Sequence, residues 1–424
     1  MGMYDVIVIG GGPAGLMAAA SAGMHGARVL LLDKGDKLGR KLAISGGGRC
    51  NVTNNKDIDE LIRNIPGNGR FLYSVFAEFD NRDLARFFED MGVRLKEEDN
   101  GRMFPVSDSA KSVVNALVRN VRAAGTEIRT HTPVERVIYE NGRVWGVQVR
   151  GGEKIRARAV VVATGGKSVP HTGSTGDGYV WAEEAGHTIT ELFPTEVPLT
   201  SKEPFIRNRS LQGLSLRDVT LTVLHPVKSK KLVTHRGDAL FTHFGLSGPA
   251  ALRCSQFVVK ALRQTGAPDV PVVIDFFPDE SANALEEKWW SHARNHPKRT
   301  LRNTLKELLP DRLVETVLGK AGVDGDTTGS RLSREGLRSI VKEVKQFTVR
   351  ISGTLPLEKA FVTGGGVHVK EIDPRTMQSK RMPGLFFCGE VIDVHGYTGG
   401  YNITAASCTG YVAGKHAALL SKAP

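Results

Sequence analysis

The sequence predicts an α/β fold in which a nucleotide-binding domain, built on a parallel sheet, is assembled from two separated segments. One observation is an N-terminal apolar strand followed by glycines in G-x-G-x-x-G spacing, and a second is a pair of later apolar strands that end in small residues. A third is a change of pattern after about Thr195, where antiparallel-type strands and then a helical stretch replace the earlier alternation. We therefore expect an inserted antiparallel β-barrel-like domain and a helical subdomain between the two segments.

The first predicted strand, Val6 to Ile9, is a short apolar run with β-branched residues, as a buried parallel strand requires. Gly10, Gly12 and Gly15 follow it in G-x-G-x-x-G spacing. In that spacing the first glycine allows a tight turn, the second lets the backbone approach a pyrophosphate, and the third lets a helix pack closely on the strand.

A helix and a second strand complete this unit. The helix predicted over Leu16 to His25 would direct its N-terminal N–H groups toward the phosphates. The strand predicted over Arg28 to Asp33 ends in a carboxylate that is placed to accept a hydrogen bond from a ribose hydroxyl. Strand, glycines, helix, strand and acid in this order predict a dinucleotide site, against the alternative of a glycine-rich turn without a ligand.

The other elements of this domain follow a Gly-rich, basic loop over residues 39–54. Apolar residues at helical spacing predict two helices, and shorter apolar or alternating runs predict strands, two of them joined by an Asn141-Gly142 turn. In order, these are helices over residues 83–91 and 109–124 and strands over residues 127–130, 134–139, 144–149, 154–157 and 159–163.

The insertion and the return segment have their own patterns. Residues 211–224 and 231–241 are predicted barrel strands, residues 281–345 are mostly helical, and strands resume near Thr348. A buried strand over residues 383–389 and a helix over residues 405–420 end the chain. The predicted division is 1–194 (first segment), 195–280 (barrel-like domain), 281–345 (helical insertion) and 346–424 (return strands and second segment).

The composition is that of an ordinary globular protein, with 40% hydrophobic and 24% charged residues in a chain of 424. The four cysteines are too few and too scattered for a disulfide framework. The sequence contains no C-x-x-C pair, the spacing that would indicate a metal site. We expect a cytoplasmic location and no membrane segment, because the N-terminal apolar run is typical of a strand and no apolar stretch could span a bilayer. Nothing in the sequence specifies an oligomeric state.

The net charge of +12 fits a polyanionic partner, although many proteins are basic without one. The charge is concentrated between Ser201 and Arg236, where eight basic residues face only two acidic ones, Glu203 and Asp218. The basic residues there are Lys202, Arg207, Arg209, Arg217, Lys228, Lys230, Lys231 and Arg236, and the helical part adds Lys298, Arg299, Arg302, Arg331, Arg334 and Arg338.

Three segments that are distant in the sequence are expected to meet around one cofactor. They are the N-terminal glycine turn, the strand end Val160 to Gly166, and the stretch from Gly389 to Asn402 that leads into a helix. The N-terminus of that helix could place N–H groups against an acceptor that gains negative charge, as the N1/O2 edge of a flavin does on reduction. A flavin therefore fits better than nicotinamide alone.

Five strings of this sequence resemble the BaiN/YhiN-type FAD-dependent oxidoreductases, which belong to the glutathione-reductase-like flavoproteins. The strings are Gly10-Gly-Gly-Pro-Ala-Gly15, Ser45-Gly-Gly-Gly-Arg-Cys-Asn-Val-Thr-Asn54, Phe241-Thr-His-Phe-Gly-Leu-Ser-Gly-Pro249, Thr363-Gly-Gly-Gly366 and Thr398-Gly-Gly-Tyr-Asn402. The resemblance covers essentially the whole chain. It implies bound FAD, a Rossmann-like domain in two segments, and an inserted barrel and helical domain that closes over the flavin.

The resemblance also implies which residues contact FAD. Gly10, Gly12, Ala14 and Gly15 would surround the pyrophosphate, Asp33 would lie at the adenosine ribose, and Val134 would lie near adenine through its backbone. Pro13 and Lys34 would also bind the cofactor. Arg40, Lys41, Gly46, Gly47, Arg49, Cys50 and Asn51 would run beside the cofactor toward the flavin ring. Ala163, Thr164 and Gly165 would line the cleft, and Gly389, Glu390, Asp393, Gly399, Gly400, Tyr401 and Asn402 would contact the ribityl chain and the flavin edge.

No second strand–G-x-G-x-x-G–helix unit is visible in the sequence. Thr363-Gly-Gly-Gly366 follows a strand-like stretch, but no long helix comes after it. A dedicated NAD(P)H domain is therefore not expected. NADH or NADPH, if it reduces the flavin, would act as a transient electron donor on the face that the substrate later uses.

Cys50 and His243 are the candidate catalytic proton donors. Cys50 follows Arg49 in a Gly-rich loop, where the cation and backbone amides could lower its pKa, or it is a small residue packed against the flavin. His243, in Phe-Thr-His-Phe-Gly, either faces the cavity from the inserted domain or is a structural histidine.

Three functions compete at this point. The first is a flavoenzyme that reduces the C=C bond of uridine in ribosomal RNA to give dihydrouridine, as members of the resembled family do, with the basic insertion holding the RNA. The second is a flavoenzyme for a small molecule, either an enone reductase or an amine oxidase. The third is a flavin-dependent binding protein without catalysis, which we rank last.

Overall fold

The computed structural model describes residues 3–422, which form two compact units. The first unit comprises residues 3–193 and 361–422, and the second is Pro194–Ala360. The first unit is therefore assembled from two separated segments of the chain.

The first segment alternates strands and helices. Its elements are β1 (Tyr4–Ile9), α1 (Pro13–Met24), β2 (Val29–Leu32), α2 (Arg40–Ile44), β3 (Thr53–Asn54), α3 (Ile58–Arg63), α4 (Tyr73–Glu78), α5 (Asn81–Asp90), β4 (Leu95–Glu98), β5 (Arg102–Pro105), α6 (Ala110–Ala123), β6 (Glu127–Arg129), β7 (Val134–Glu140), β8 (Arg143–Val149), β9 (Lys154–Val162), α7 (Asp177–Glu184) and β10 (Phe193–Thr195), whose last residues lie in the second unit.

The main sheet of the first unit has the order β6-β2-β1-β9, and these neighbours are parallel. The long strand β9 pairs with antiparallel β8 at Arg156, and from Ala157 onward it pairs with β1. One continuous strand therefore replaces the two strands predicted over residues 154–157 and 159–163, because β9 passes from the β7–β8 meander directly into the parallel sheet.

The second unit is built on a closed antiparallel barrel in the order β11-β14-β13-β12-β15-β16, with β16 pairing back to β11. Phe241 and Phe347 of the barrel and Trp289, Leu313 and Ile340 of the helices belong to one hydrophobic cluster. The elements are β11 (Leu199–Ser201), α8 (Pro204–Arg207), β12 (Ser215–Leu224), β13 (Lys231–Phe241), β14 (Gly245–Ser247), α9 (Pro249–Thr265), β15 (Val270–Asp275), α10 (Ala282–Asn295), α11 (Leu301–Leu305), α12 (Asp311–Ala321), α13 (Arg334–Lys345) and β16 (Phe347–Thr354).

The return segment completes the first unit with β17 (Val362–Gly364), β18 (Leu385–Phe387) and α14 (Tyr401–Lys422). Strand β18 extends the parallel sheet by pairing with β9. Helix α14 packs along α1, where a Cβ atom on Gly410 would come within 2.2 Å of the Ala14 carbonyl oxygen. This close approach joins the end of the chain to its beginning.

The predicted fold class is confirmed, but the observed division differs from the predicted one in two respects. The helices over residues 281–345 share their core with the barrel instead of forming a subdomain, because their apolar faces pack on it. Strand β16, which we assigned to the return segment, closes the barrel, so the chain re-enters the first unit at Phe361.

Within residues 3–422, no helix combines the length and the apolar character needed to cross a membrane. Nor do His, Cys, Asp and Glu side chains cluster there in a way that could hold a metal ion.

Candidate functional site

The three glycines of the N-terminal turn have three different surroundings. Gly10 has a φ of +103°, and a Cβ atom there would lie 2.5 Å from the Ala163 carbonyl oxygen. A Cβ atom on Gly15 would lie 1.8 Å from the Gly10 carbonyl oxygen, whereas one on Gly12 would meet nothing within 4 Å. The turn, the close helix–strand contact and the open backbone are the three features of a pyrophosphate-binding turn.

Pro13 and Ala14 begin helix α1 directly after this turn. Pro13 occupies the first helical position, where a proline needs no backbone N–H, and Ala14 is buried. The first turn of the helix contains no acidic residue, so its N-terminal partial positive charge is available to an anion.

The Asp33 carboxylate is held by two backbone amides. Its Oδ2 accepts a hydrogen bond from the Gly11 N–H at 2.6 Å, and its Oδ1 accepts one from the Gly35 N–H at 2.7 Å. The carboxylate is therefore fixed beside the glycine turn, where a ribose hydroxyl could donate to its remaining lone pairs.

The end of β9 meets the glycine turn. The Ala163 N–H donates to the Ile9 carbonyl at 2.9 Å, and the Oγ1 of the adjacent Thr164 is buried without a hydrogen-bond partner among residues 3–422. Gly165 continues this strand end with a φ of +73°. The Thr164 hydroxyl is therefore a buried hydrogen-bonding group that a bound ligand or water could satisfy.

A cavity of about 40 Å³ lies at the same place. It is lined by Gly10 and Thr164 and by Lys34 and Val134, two more of the predicted cofactor residues. Lys34 forms an ion pair with Asp177 at 2.6 Å and also contacts Thr175. The structure thus brings these predicted residues together around one cavity, and it adds Asp177, which the sequence did not single out.

The Gly-rich loop turns sharply beside α2. Gly46, Gly47 and Gly48 have φ values of +56°, +68° and +86°, and Cβ atoms on Gly47 and Gly48 would meet nothing within 4 Å. The loop therefore exposes backbone without side chains, which suits close contact with a ligand. Arg40, at the start of α2, lies 3.7 Å from Asp36 and remains exposed.

The structure contradicts the expected activation of Cys50. The Arg49 guanidinium contacts Glu98, lies 3.0 Å from Asp108 and stacks over Phe104, so its charge is already paired. Cys50 is fully buried, and burial raises the pKa of its thiol to about 11. The predicted lowering of the pKa is wrong because adjacency in sequence did not bring the cation to the sulfur, and the alternative of a packed small residue fits the geometry.

Asn51 and the return segment meet across the same loop. The Asn51 Oδ1 atom is buried without a partner among residues 3–422, and a Cβ atom on Gly400 would lie 3.0 Å from it. The Thr53 and Thr404 hydroxyls are 2.8 Å apart, and the Asn54 amide donates to the Gly399 carbonyl at 3.0 Å. The glycines before α14 are therefore fixed against the Gly-rich loop.

Glu390 connects the Gly-rich loop over residues 39–54, the stretch that follows β9 and the start of the return segment. Its Oε2 accepts from Lys41 Nζ at 2.9 Å, and its Oε1 accepts from the Thr363 N–H at 2.7 Å and the Ser168 hydroxyl at 3.2 Å. Burial by itself would raise the pKa of Glu390, but the charge of Lys41 and these hydrogen bonds outweigh it and lower the pKa. Glu390 therefore stays ionised at neutral pH and anchors the turn that begins at Gly389.

The predicted flavin-side residues between Gly389 and Asn402 differ in what their side chains contact. The Asn402 amide is committed to its own turn, because it accepts from the Gly396 N–H at 2.8 Å and donates to the Gly396 and Tyr397 carbonyls. Tyr401 is buried and the Asp393 side chain is half-buried, with the Asp393 carbonyl accepting from Asn68 at 2.7 Å. Asn402 thus shapes the start of α14, and its predicted direct contact with the flavin stays a prediction.

His243 lies in the second unit, in the turn between β13 and β14. Its side chain is exposed, and its ring packs edge-on against Phe244 with centroids 4.9 Å apart. It is not a buried structural histidine, and its role as a proton donor stays a prediction.

Ser168 and Thr363 were missed as site residues by the sequence analysis. The Thr363 hydroxyl accepts from the Lys167 and Ser168 N–H groups at 2.9 and 3.0 Å. The signal was the Thr363-Gly-Gly-Gly366 string, whose glycines serve internal packing: Cβ atoms on Gly365 and Gly366 would come within 2.3 and 2.6 Å of other backbone oxygens. The string therefore packs the return segment against the first segment of the unit, and it is not a second dinucleotide-binding turn.

The residues present fit a dinucleotide flavin. An open glycine backbone at Gly12, Gly47 and Gly48, a helix N-terminus and a fixed ribose-side carboxylate lie in one unit. Two buried polar atoms, Thr164 Oγ1 and Asn51 Oδ1, have no partner among the described residues. Such atoms cost free energy unless a ligand or water satisfies them.

Comparison with known proteins agrees with this geometry. Residues 4–416 match the family described as "HI0933-like protein Rossmann domain". The ribosomal RNA dihydrouridine synthase of Escherichia coli (strain K12) is 34% identical over 405 residues, which cover 95% of each chain. The 3-dehydro-bile acid delta(4,6)-reductase of Clostridium scindens is 30% identical over 421 residues, 98% of this chain and 99% of that protein.

A solved structure shows the same fold. An open conformation of a flavocytochrome c3 fumarate reductase aligns with a TM-score of 0.54 at 20% identity, covering 99% of this chain and 79% of that one. The family match and the full-length relatives decide the assignment: this chain belongs to the HI0933-like Rossmann family and is an FAD-dependent oxidoreductase.

Proposed function

We propose that this chain reduces a uridine of ribosomal RNA to dihydrouridine in the cytoplasm, with FAD as bound cofactor and NADH or NADPH as transient electron donor. Two relatives named ribosomal RNA dihydrouridine synthase, at 34% and 32% identity over nearly the whole chain, support this proposal. The reaction consumes one NAD(P)H and one proton for each uridine and releases NAD(P)⁺.

The chemistry suits a polarised double bond. The C5=C6 bond of uracil is conjugated with the C4 carbonyl, so C6 accepts a hydride and C5 then accepts a proton. Bound FAD would supply the hydride. The chain has to hold the base, exclude water and deliver the proton, because a base inside a helix must leave its stack to reach a flavin.

The chain's own residues have defined tasks in this proposal. The Glu390–Lys41 ion pair, braced by Ser168, fixes the turn ahead of α14. The N-terminus of α14 would stabilise the negative charge that develops on the reduced ring edge. His243, exposed on the inserted unit, is the proposed proton donor, since Cys50 is fully buried.

The observation that carries the RNA substrate is the pattern of unpaired cations on the inserted unit. Lys202, Arg207, Arg209, Arg217, Lys228, Lys230 and Lys231 are all exposed, and none forms an ion pair within residues 3–422. Arg236 is different, because it is paired with Asp218 and Asp279 at 2.7 and 2.6 Å. Unpaired surface cations are the groups that release counterions when they contact RNA phosphates.

Four of the five helical arginines contribute less than the sequence suggested, whereas Arg331 is exposed and forms no ion pair within residues 3–422. Arg302 pairs with Glu315 at 2.8 Å, Arg334 with Glu287 at 2.7 Å and Arg338 with Glu286 at 3.1 Å, and Arg299 contacts Glu307. Their charge is largely neutralised by neighbours. The RNA-facing surface is therefore proposed to be the 202–231 stretch.

The first experiment is nucleoside mass spectrometry of ribosomal RNA from the source organism with and without the gene. We expect dihydrouridine to disappear on deletion and to return when the RNA is treated with purified holoprotein and NADH or NADPH. Unchanged dihydrouridine in the deletion strain would refute the proposed substrate.

The contribution of the cations is tested with a charge-reversal triple variant, Lys228→Glu, Lys230→Glu and Lys231→Glu. The matched control reverses Arg143, Arg150 and Lys154, which are also exposed and unpaired within residues 3–422 but lie in the first unit. We expect the first variant to flatten the dependence of log K on log salt by up to about 0.7–0.9 for each phosphate that the protein no longer neutralises. Equal effects of the two variants would show a general charge effect only.

A small conjugated enone is the second candidate substrate. The relative named 3-dehydro-bile acid delta(4,6)-reductase, at 30% identity over 98% of this chain, favours it. The discriminating measurement is flavin reoxidation: turnover of a 3-oxo-Δ4 steroid at a rate independent of RNA would favour the small-molecule function.

A further inference from the structure

A second surface of the first unit is not explained by the flavin site. It is an open groove of about 940 Å³ between the α3–α4 region and the stretch around residues 369–380. None of the predicted cofactor residues lines this groove. All of the lining residues belong to the first unit.

The charge of the groove is one-sided. Arg63 and Arg70 on one wall and Lys370 and Lys380 on the other are exposed. None of the four forms an ion pair within residues 3–422, although the Lys380 ammonium donates to the Lys370 carbonyl at 3.0 Å. Asp59 is the acidic residue among the described lining residues. An anionic occupant would therefore meet four cations without displacing an existing ion pair.

The groove also presents aromatic rings. Tyr73 is 44% exposed, and its hydroxyl donates to Asp59 at 2.9 Å. Phe71 is half-buried beside it. Cations combined with exposed rings are the surface that binds single-stranded nucleic acid, because phosphates contact the cations and bases stack on the rings.

The glycines of this region argue against a dinucleotide occupant. A Cβ atom on Gly67 would lie 2.1 Å from the His395 ring, and one on Gly69 would lie 2.9 Å from the Ile62 carbonyl oxygen. Both glycines serve internal packing, unlike Gly12 with its open surroundings. Helix α3 also carries Asp59 and Glu60 in its first turn, which disfavours a pyrophosphate there.

The groove wall that contains Asn68 is hydrogen-bonded to the stretch between Gly389 and Asn402. The Gly67 N–H donates to the His395 carbonyl at 3.0 Å, and the Asn68 amide donates to the Asp393 carbonyl at 2.7 Å. A strand in the groove would thus be held at a set position relative to the Gly389–Asn402 turn, whose residues are predicted to contact the flavin edge.

From these observations we infer that the groove binds a single-stranded stretch of the RNA next to the target uridine. This inference rests on the proposed function and gives it a second RNA contact. Arg63, Arg70, Lys370 and Lys380 contact phosphates, and Tyr73 stacks on a base. The groove holds the flanking strand while the target base leaves the stack.

The test uses holoenzyme and a fluorescently labelled oligouridylate of about ten nucleotides, within the usual range of single-strand sites. The variants are Arg63→Ala with Lys370→Ala, Tyr73→Ala, and Tyr73→Phe, which keeps the ring. The matched control is Arg143→Ala with Arg150→Ala, since both arginines are exposed and unpaired within residues 3–422 but lie away from the groove lining. The absorbance spectrum of bound FAD checks that each variant is folded.

We expect the double variant to bind more weakly, with the log K against log salt slope flatter by about 0.7 for each phosphate that the groove no longer neutralises. Tyr73→Ala should weaken binding about tenfold, and Tyr73→Phe should bind like the wild type, because stacking needs the ring and not the hydroxyl. The Arg143/Arg150 control should bind like the wild type.

Three outcomes would overturn the inference: groove variants that bind the oligouridylate as the wild type does, a wild type that does not bind it, or groove variants that change only the KM for NADH or NADPH. The proposed function fails separately. If the wild type forms no dihydrouridine in ribosomal RNA but binds the oligouridylate through the groove, the substrate assignment is wrong and the single-strand site stands.

Discussion

At the scale of single residues, two glycines of the N-terminal turn, Gly12 and Gly15, have different structural roles. Gly12 has a φ of −78°, and a Cβ atom there would have no neighbour within 4 Å, so an alanine fits the protein itself. Gly15 touches the Gly10 carbonyl so closely that an alanine cannot fit without moving backbone. The first position is open for a ligand, and the second is closed for packing.

The first prediction separates these two tasks with Gly12→Ala and Gly15→Ala. Gly12→Ala should leave the stability of the apoprotein nearly unchanged but weaken FAD binding by about tenfold or more, because the methyl group occupies the space of the pyrophosphate. Gly15→Ala should destabilise the apoprotein itself by about 1–3 kcal/mol. Urea unfolding of the apoproteins and FAD titration measure the two effects, and equal apoprotein stabilities for both variants would contradict the reasoning.

At the scale of elements, the contact between α1 and α14 holds the two separated segments together. A Cβ atom on Gly414 would lie 2.1 Å from the Ala18 carbonyl oxygen, just as one on Gly410 would lie 2.2 Å from that of Ala14. The helices can approach this closely only because glycine lacks a side chain. Since α1 begins directly after the glycine turn, α14 packs on the helix that follows the candidate pyrophosphate site.

The second prediction concerns Gly414→Ala. The added methyl group should force the helices apart and lower the free energy of unfolding by about 1–3 kcal/mol, with partial loss of bound FAD. The matched control is Gly319→Ala in α12, where a Cβ atom would meet nothing within 4 Å. That change should stabilise the protein by about 0.5–1 kcal/mol because alanine has the higher helix propensity. Thermal unfolding with the matched pair would refute the idea if both variants were stabilised.

At the scale of the whole molecule, two units with separate cores carry different pH-sensitive groups. Burial, with the charge of Arg253, lowers the pKa of His235 in the barrel to about 4, and burial lowers the pKa of His187 in the first unit despite its contact with Glu371. Several carboxylates, among them Glu371 and Glu390, also have lowered pKa values. All of these groups make the unfolded chain bind more protons than the folded one in acid.

The third prediction follows from the sign of these shifts. As pH falls below 6.5, the ordinary histidine value, unfolded His235 takes up a proton that the folded protein excludes until about pH 4. The free energy of unfolding should therefore decrease in that window, with His235 contributing a slope of up to about 1.4 kcal/mol per pH unit. Below about pH 4.5 the carboxylates add to the loss.

Urea unfolding of wild type and His235→Gln between pH 7 and pH 4 checks this, with circular dichroism as the signal. The variant should show a shallower pH dependence, whatever its stability at pH 7. Parallel curves would mean that His235 is not protected from protonation in the folded state.

Much of the ligand site follows from local patterns in the sequence. The strand–glycine–helix unit, Asp33 and the three Gly-rich segments were predicted because each depends on neighbours within a few residues or on a short periodicity. The structure places these segments in contact, through bonds such as Ala163 to Ile9 and Asn54 to Gly399.

The failures share a different cause. Arg49 neighbours Cys50 in the sequence, but its guanidinium pairs with Glu98 and Asp108, so the thiol keeps a pKa of about 11. Strand β16 looked like part of the return segment, but its hydrogen bonds to β11 and β15 close the barrel. In each case partners distant in sequence decided the outcome.

The sequence by itself determined the fold class, the dinucleotide turn and the family, because strand periodicity and glycine spacing are local properties of the chain. Only the tertiary structure decided which charges are free. It paired Arg236, Arg302, Arg334 and Arg338 with carboxylates and left Arg63, Arg70 and Lys370 without ion pairs within residues 3–422. Charge pairing depends on distances of a few ångströms between side chains from separate elements, and a linear sequence does not contain those distances.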